Sequence, residues 1–299
     1  MKKVKELVVI SGKGGTGKTS ITAAFASLAQ DSVLADCDVD AADLHLVLDP
    51  HVKERMDFSG GKKASIIPEK CIRCGKCAEM CRFGAVSINA PGNDAAEKEF
   101  VIDPISCEGC KVCVEFCPAE AIQFTDAING QWFISNTRFG PMVHAKLGVA
   151  EENSGKLVTL IRKAAKRIAE EQNKNLLIVD GSPGIGCPVI ASITGADMIL
   201  AVTEPTLSGF HDLERVAQLT SNFGIRTLVC VNKADINPEM TKKIEVDAEA
   251  KGLKIVGKVP YDESFTKAQV MRATLIEYTG GDIADKVKSM FREIVYAMG

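Results

Sequence analysis

For most of its length the chain carries short unbroken apolar runs: ELVVI from Glu6, SVLAD from Ser32, NLLIVD from Asn175, DMILAVT from Asp197, RTLVCVN from Arg226 and LKIVGKV from Leu253. Runs of this length without polar alternation predict strands buried on both faces, and helix-length segments separate most of them. The first run leads through SGKGGTGKT into SITAAFASLA, which predicts strand, glycine-rich turn and helix. The pattern predicts an α/β fold, a doubly wound and mostly parallel sheet.

Between about Gly60 and Asn129 this rhythm stops and a repeat replaces it. PEKCIRCGKCAEMCRFGAVSI from Pro68 and PISCEGCKVCVEFCPAEAIQF from Pro104 align at a spacing of 36, matching Pro with Pro, all four Cys, Ala85 with Ala121 and Val86 with Ile122. The predicted organisation is a sheet domain split into residues 1–60 and 129–299, with a small α+β module inserted at 61–128.

Composition adds limits. The chain has 46% hydrophobic and 25% charged residues and a net charge of −3, which argues against disorder and against a general attraction to nucleic acid or anionic lipid. No apolar run approaches the ~18 residues that span a bilayer. The opening MKKVKELVVISG lacks the parts of a secretory leader, so a cytoplasmic location is expected, where clustered cysteines serve metals and not disulfides. Eight of the eleven cysteines fall in the two runs.

C-x2-C-x2-C-x3-C, present twice, is the pattern of a bacterial-type ferredoxin with two 4Fe-4S centres. Zinc is the rival, although structural zinc sites usually pair two C-x-x-C knuckles or use His. In the two-cluster pattern the fourth Cys of each run ligates the other centre. This predicts Cys71, Cys74, Cys77 with Cys117, and Cys107, Cys110, Cys113 with Cys81. Pro118 follows Cys117, but Arg82 follows Cys81, and its N–H and charge predict the higher potential for the centre that Cys81 holds.

Gly12-Lys13-Gly14-Gly15-Thr16-Gly17-Lys18-Thr19 fits the phosphate-loop pattern in its required strand-to-helix context, with Ser20 next along. Backbone N–H groups would cradle phosphates, Lys18 would reach the β/γ oxygens, and Thr19 would offer its hydroxyl to Mg²⁺. Asn232-Lys233-Ala234-Asp235 matches the N-K-x-D pattern that reads guanine, with Asp235 as acceptor.

With Lys13 included, the loop reads K-G-G-T-G-K-T, and here the chain resembles the MinD/ParA/Mrp family of P-loop ATPases, related to the nitrogenase iron protein. The resemblance implies a homodimer sandwiching nucleotide, or a heterodimer with a paralogue, in which Lys13 reaches the partner's phosphates. LADCDVD resembles switch I, so that Asp38 would position the attacking water and Asp36 would support the metal or the switch; Asp40 and Asp43 remain surface acids. LLIVDGSPGIG resembles the Walker B and switch II segment, with Asp180 holding Mg²⁺ through water and the Gly184 amide sensing the γ-phosphate. In that family an Asn such as Asn232 contacts adenine, and Pro260 to Asp262 resembles the second base-contacting segment, which favours ATP and leaves GTP open.

The function expected is a dimerising ATPase with two 4Fe-4S clusters, coupling nucleotide state to electron transfer or to an unidentified redox or cluster-accepting protein. The alternatives are an iron–sulfur assembly carrier of the Mrp type and a MinD/ParA-like positioning protein. Cys187 lies seven residues after Asp180, where the nitrogenase iron protein places a cluster ligand, but the second such Cys is missing; Cys187, Cys37 and Cys230 are read as buried structural residues. Ile283, Val287, Met290, Phe291, Ile294 and Val295 predict the core face of a C-terminal helix and not a membrane anchor. Arg162, Lys163, Lys166 and Arg167 predict a solvated helix face and not a DNA patch, and Glu151 to Lys156 a helix start. The four histidines show no ligand spacing.

Overall fold

The computed structural model describes residues 3–89, 99–148 and 154–299. The chain opens with β1 (Lys5–Ser11), α1 (Lys18–Leu28), β2 (Ser32–Asp36), α2 (Leu44–Leu48) and β3 (His51–Phe58). The cysteine-rich stretch follows with β4 (Gly61–Ile66), α3 (Lys76–Met80), β5 (Val86–Asn89), β6 (Glu99–Ile102), α4 (Val112–Glu115) and β7 (Ile122–Ala127). Next come β8 (Gly130–Thr137), β9 (Gly140–Leu147), α5 (Ser154–Glu171), β10 (Leu176–Pro183), α6 (Cys187–Ile193), β11 (Met198–Thr203) and α7 (Leu207–Asn222). β12 (Thr227–Asn232), α8 (Pro238–Ala250), β13 (Lys254–Val259), α9 (Ser264–Val270), α10 (Leu275–Tyr278) and α11 (Gly281–Met298) complete it.

Two units are present. The first takes in Met1–Met56, Trp132–Lys146 and Ser154–Gly299; the second is built on Asp57–Gln131. In the first, nine strands form a sheet in the order β13-β12-β11-β1-β10-β2-β9-β8-β3. Each neighbouring pair from β13 to β9 is parallel. The six apolar runs are six of these strands, and β1, β2, β11 and β12 are buried throughout or nearly so. The β3 edge reads HVKERMDF and is mostly exposed, so two-sided burial leaves no mark in its sequence.

Leu7, Val9, Leu34, Ile178, Leu200, Leu228 and Cys230 share a core with Phe25 of α1 and with Val287, Phe291 and Ile294 of α11. The rings of Phe25 and Phe291 stand 5.0 Å apart. Each such side chain, wholly buried, stabilises the fold by about 1.5–3 kcal/mol. The C-terminal helix therefore packs inward as expected, except that Val295 is exposed, because it falls at the margin of the buried stripe. No described helix is long and apolar enough to cross a membrane.

Two further expectations change. Cys187 is exposed, whereas Cys37 and Cys230 are buried; Cys187 occupies the first position of α6, where the chain has just left the sheet. Arg162 is not solvated like Lys163, Lys166 and Arg167: it pairs with Glu6 at 2.7 Å and donates to the Ala191 and Thr194 carbonyls near the end of α6. The helix expected around Glu151 to Lys156 begins at Ser154; residues 151–153 lie outside the described residues.

In the second unit β4 pairs antiparallel with β7, and β5 with β6. The strand before the first cysteine run thus pairs with the strand after the second, and the strand between the runs with its fellow, as a twofold duplication requires. The backbone repeats too. Positive φ occurs at Arg73 and Gly109, at Gly75 and Lys111, and at Gly84 and Glu120, each pair 36 apart in sequence. At Gly109 any side chain would collide with the Lys62 carbonyl oxygen. A small core of Ala64, Ala85, Ile102 and Ile122 has Cys77, Cys81, Cys107, Cys113 and Cys117 packed against it.

Candidate functional site

In a parallel α/β sheet the carboxyl ends of the strands share one edge, and ligands bind where the strand order reverses. Register places β1 between β10 and β11, and it aligns Val9 with Asp180 and Asp180 with Asp36. Residues separated by more than a hundred positions are thereby made neighbours. The loop after β1 turns into α1 at Gly17, whose φ of 88° and contact with the Asn232 amide leave no room for a side chain. Asn232 Nδ2 donates to the Thr16 carbonyl at 2.8 Å, fixing the loop to the end of β12.

Lys18 is buried between carboxylates, 2.8 Å from Asp180 and 3.3 Å from Asp38. Burial pulls its pKa down, but the charges of Asp180 and Asp38 outweigh this and hold it above the ordinary value. Thr19 donates to Asp180 Oδ2 at 2.8 Å and Thr22 to Oδ1 at 3.0 Å. Thr22 escaped the sequence reading; its signal is position i+4 from Lys18 on the same helix face. Asp36 is fully buried, accepts from the Asp38 amide at 3.2 Å and leaves Oδ2 without a partner among the described residues. Burial, then the Asp180 charge, pushes its carboxyl well above the usual range. Burial also raises Asp38, partly opposed by Lys18.

A cleft of about 420 Å³ opens above these groups, within the size range of small-molecule sites. Gly14 to Ser20, Asp38, Asn232, Pro260 and Asp262 line it. So do Phe265, Thr266 and Gln269, which sequence alone did not mark. Asp40 and Asp43 are exposed as expected, yet Asp43 also lines the cleft. Gly12, Lys13, Gly184 and Asp235 do not. Gly12 packs against Asp212 of α7, and the Gly184 amide donates to the Ser11 carbonyl at 2.8 Å. Asp235 Oδ1 accepts from the Tyr261 amide at 2.6 Å.

Lys13 is folded onto its own subunit: it meets Glu204 at 2.7 Å and Ser208 at 2.8 Å. Glu204 also holds Lys233 at 3.0 Å. Burial would raise the Glu204 pKa, but the hydrogen bonds from Lys13 and Lys233 win and lower it. The only trace of Glu204 in the sequence is its place just past a strand end, on the same sheet edge as Asp36, Asp180 and Asn232.

In the second unit two apolar-walled cavities lie beside the cysteines. One is lined by Cys71, Cys74, Cys77 and Cys117, the other by Cys107, Cys110, Cys113 and Cys81. The Ala121 amide donates to Cys117 Sγ at 3.3 Å. Among the described residues no three His, Cys, Asp or Glu side chains converge closely enough to hold a single metal ion.

A phosphate loop at the reversal point of a parallel sheet, with carboxylates from neighbouring strand ends beneath it, defines a P-loop nucleotide-binding protein of the α/β class. The profile of the CobQ/CobB/MinD/ParA nucleotide binding domain matches residues 7–275, and the chain belongs to that family. An uncharacterized protein of Methanocaldococcus jannaschii is 30% identical over 294 residues, 97% of this chain and 96% of its own length. The septum site-determining protein MinD of Pyrococcus horikoshii, solved with Mg-ADP, shares the fold with a TM-score of 0.58 at 14% identity, covering 99% of this chain and 98% of that one. A fragment of 54 residues, 18% of this chain, is 39% identical to the pyruvate synthase subunit PorD of M. jannaschii, covering 56% of that subunit.

Proposed function

We propose that the chain is an ATPase that carries two 4Fe-4S clusters and couples its nucleotide state to electron transfer with a redox partner. The observation that carries this reading is the composition of the two cysteine cavities: each takes three cysteines from one run and the fourth from the other. The donor set fits, being all cysteine sulfur with apolar walls. Cys71, Cys74, Cys77 and Cys117 would hold one cluster, and Cys107, Cys110, Cys113 and Cys81 the other. When bound, such clusters supply one-electron transfer.

The nucleotide cleft supports ATP over GTP, because Asp235 is occupied by the Tyr261 amide and stands off the cleft wall. Lys18 exchanges Asp180 and Asp38 for the β/γ phosphates as nucleotide binds, which frees both carboxylates. Thr19 and, through water, Asp180 would hold Mg²⁺, with Asp36, whose Oδ2 has no partner among the described residues, available as a further acceptor. Asp38 orients the attacking water. The Gly184 amide leaves the Ser11 carbonyl to meet the γ-phosphate, and Lys13 leaves Glu204 to reach the phosphates of a second subunit. The cysteine stretch follows the Asp36–Asp43 segment along the chain, after α2 and β3, and that continuity is the route this reading assigns to a nucleotide-driven change.

Iron and labile sulfide analysis tests the cluster assignment: about eight of each per chain are expected, and Cys117→Ala should damage the same centre as Cys71→Ala. Coupling is tested by linkage. A nucleotide that shifts a potential by about 59 mV must bind the reduced protein with about tenfold altered affinity. Potentials that ignore a non-hydrolysable ATP analogue sink the coupling.

A further inference from the structure

The two halves of the cysteine repeat share a backbone but not a charge. The loop from Cys71 to Cys77 carries Arg73 and Lys76, with Lys70 immediately before it, and no acid inside it. Its counterpart from Cys107 to Cys113 carries Glu108 and Lys111, and Lys111 is held by Glu115 at 2.5 Å. Lys70, Arg73 and Lys76 are all exposed, and neither Lys70 nor Lys76 has an acidic partner among the described residues. Between them Ile72 is 64% exposed, and Ile72, Cys74 and Lys76 line the first cavity. Cys74 itself reaches solvent, as Cys110 does in the other half. Glu69 precedes the basic loop, and the crossing fourth ligands bring Glu120 into the first cavity's sequence neighbourhood and Arg82 into the second's. With the flanking acids included, residues 69–79 carry three cations and two acids, Glu69 and Glu79, whereas residues 105–115 carry one cation and two acids, Glu108 and Glu115.

An exposed apolar side chain with exposed cations on either side of it in the same loop, beside a solvent-reaching cysteine, supplies the two parts of a small electron-transfer interface: an apolar centre for contact and charge for steering. We infer that the Lys70–Lys76 loop is the docking surface for an acidic one-electron carrier protein, and that electrons enter the module through the Cys71, Cys74, Cys77 and Cys117 site. This rests on the two-cluster reading above. One electron passes per encounter; the carrier is oxidised by one as the module is reduced by one, and no bond or proton is exchanged.

The test uses the full-length cluster-loaded protein, oxidised, mixed in a stopped flow with a dithionite-reduced small ferredoxin of strongly acidic composition. The variant Lys70→Glu/Arg73→Glu/Lys76→Glu should slow the second-order transfer at least tenfold at low salt. Lys163→Glu/Lys166→Glu/Arg167→Glu, with the same change in net charge on exposed positions of α5, should stay within twofold. The wild-type rate should fall as salt rises. Equal slowing in both variants, no slowing in the first, or a wild-type rate flat in salt overturns the surface. If the first variant loses iron, the wild-type salt dependence decides. Competition by a single-stranded oligonucleotide acting through the same three residues also overturns it. Iron and sulfide analysis of the wild type separates the readings: absent clusters end the two-cluster function, whereas normal clusters with an unaltered rate end only the docking surface.

Discussion

The nucleotide cleft and the cysteine unit are built on opposite principles. Asp36, Asp180 and Asn232 come from distant parts of the chain and meet because parallel strands bring their carboxyl ends to one edge, over a core that includes Leu7, Phe25, Leu34 and Phe291. There the fold makes the site. The cysteine unit has its eight cysteines close together in sequence and a hydrophobic core of mainly small or single residues from each strand, with five of the cysteines packed against it. On the two-cluster reading, the site should make the fold there, as metals do in small metal-binding domains.

The sharpest way to break this contrast is to withhold iron or introduce Cys71→Ala with Cys107→Ala. Protection of the 57–131 stretch from limited proteolysis should be lost almost completely, while nucleotide affinity changes less than about twofold; a module that keeps its protection without iron refutes the contrast. Lys18→Ala works in the other direction. It leaves Asp180 buried without its main countercharge, so nucleotide binding should vanish and the sheet unit should lose about 3–5 kcal/mol in denaturant titration, with iron content unchanged.

Acid gives a smaller effect on the sheet unit. His144, buried beside Ser135 at 2.8 Å, has its pKa lowered to about 4 by burial and then by His45. The unfolded chain takes up this proton near pH 6.5 and the folded one does not. Stability from His144 is therefore intact above about 6.5 and falls as pH drops towards 4, by about 3 kcal/mol in all. His144→Gln should flatten that limb of the pH–stability curve. The smallest expected effect is at Arg82, which is exposed. Arg82→Pro should lower the potential of the centre proposed for Cys107, Cys110, Cys113 and Cys81 by less than about 59 mV, read by redox titration, since exposed charge is well screened.

Legibility followed the same divide. Strands buried on both faces declared themselves as apolar runs, and two glycine–lysine steps in the loop declared phosphate chemistry. β3 stayed hidden because an edge strand with His51, Lys53, Glu54 and Arg55 facing water has no hydrophobic signature. Glu204 stayed hidden because one acid after a strand acquires meaning only when Lys13 and Lys233 fold onto it. Cys187 reads as a buried filler from its apolar neighbours, but side-chain exposure at a helix start depends on which way the chain leaves the sheet.

The collision that forbids a side chain at Gly109 gives the duplicated halves unequal histories open to them. A substitution of Arg73 by Gly would keep the left-handed turn, while Gly109→Arg would drive a side chain into the Lys62 carbonyl. A charged loop could therefore diversify in the first copy and never in the second at this position. At this turn the two copies are therefore not interchangeable, and a chimera carrying two first copies in tandem should fail at its second turn.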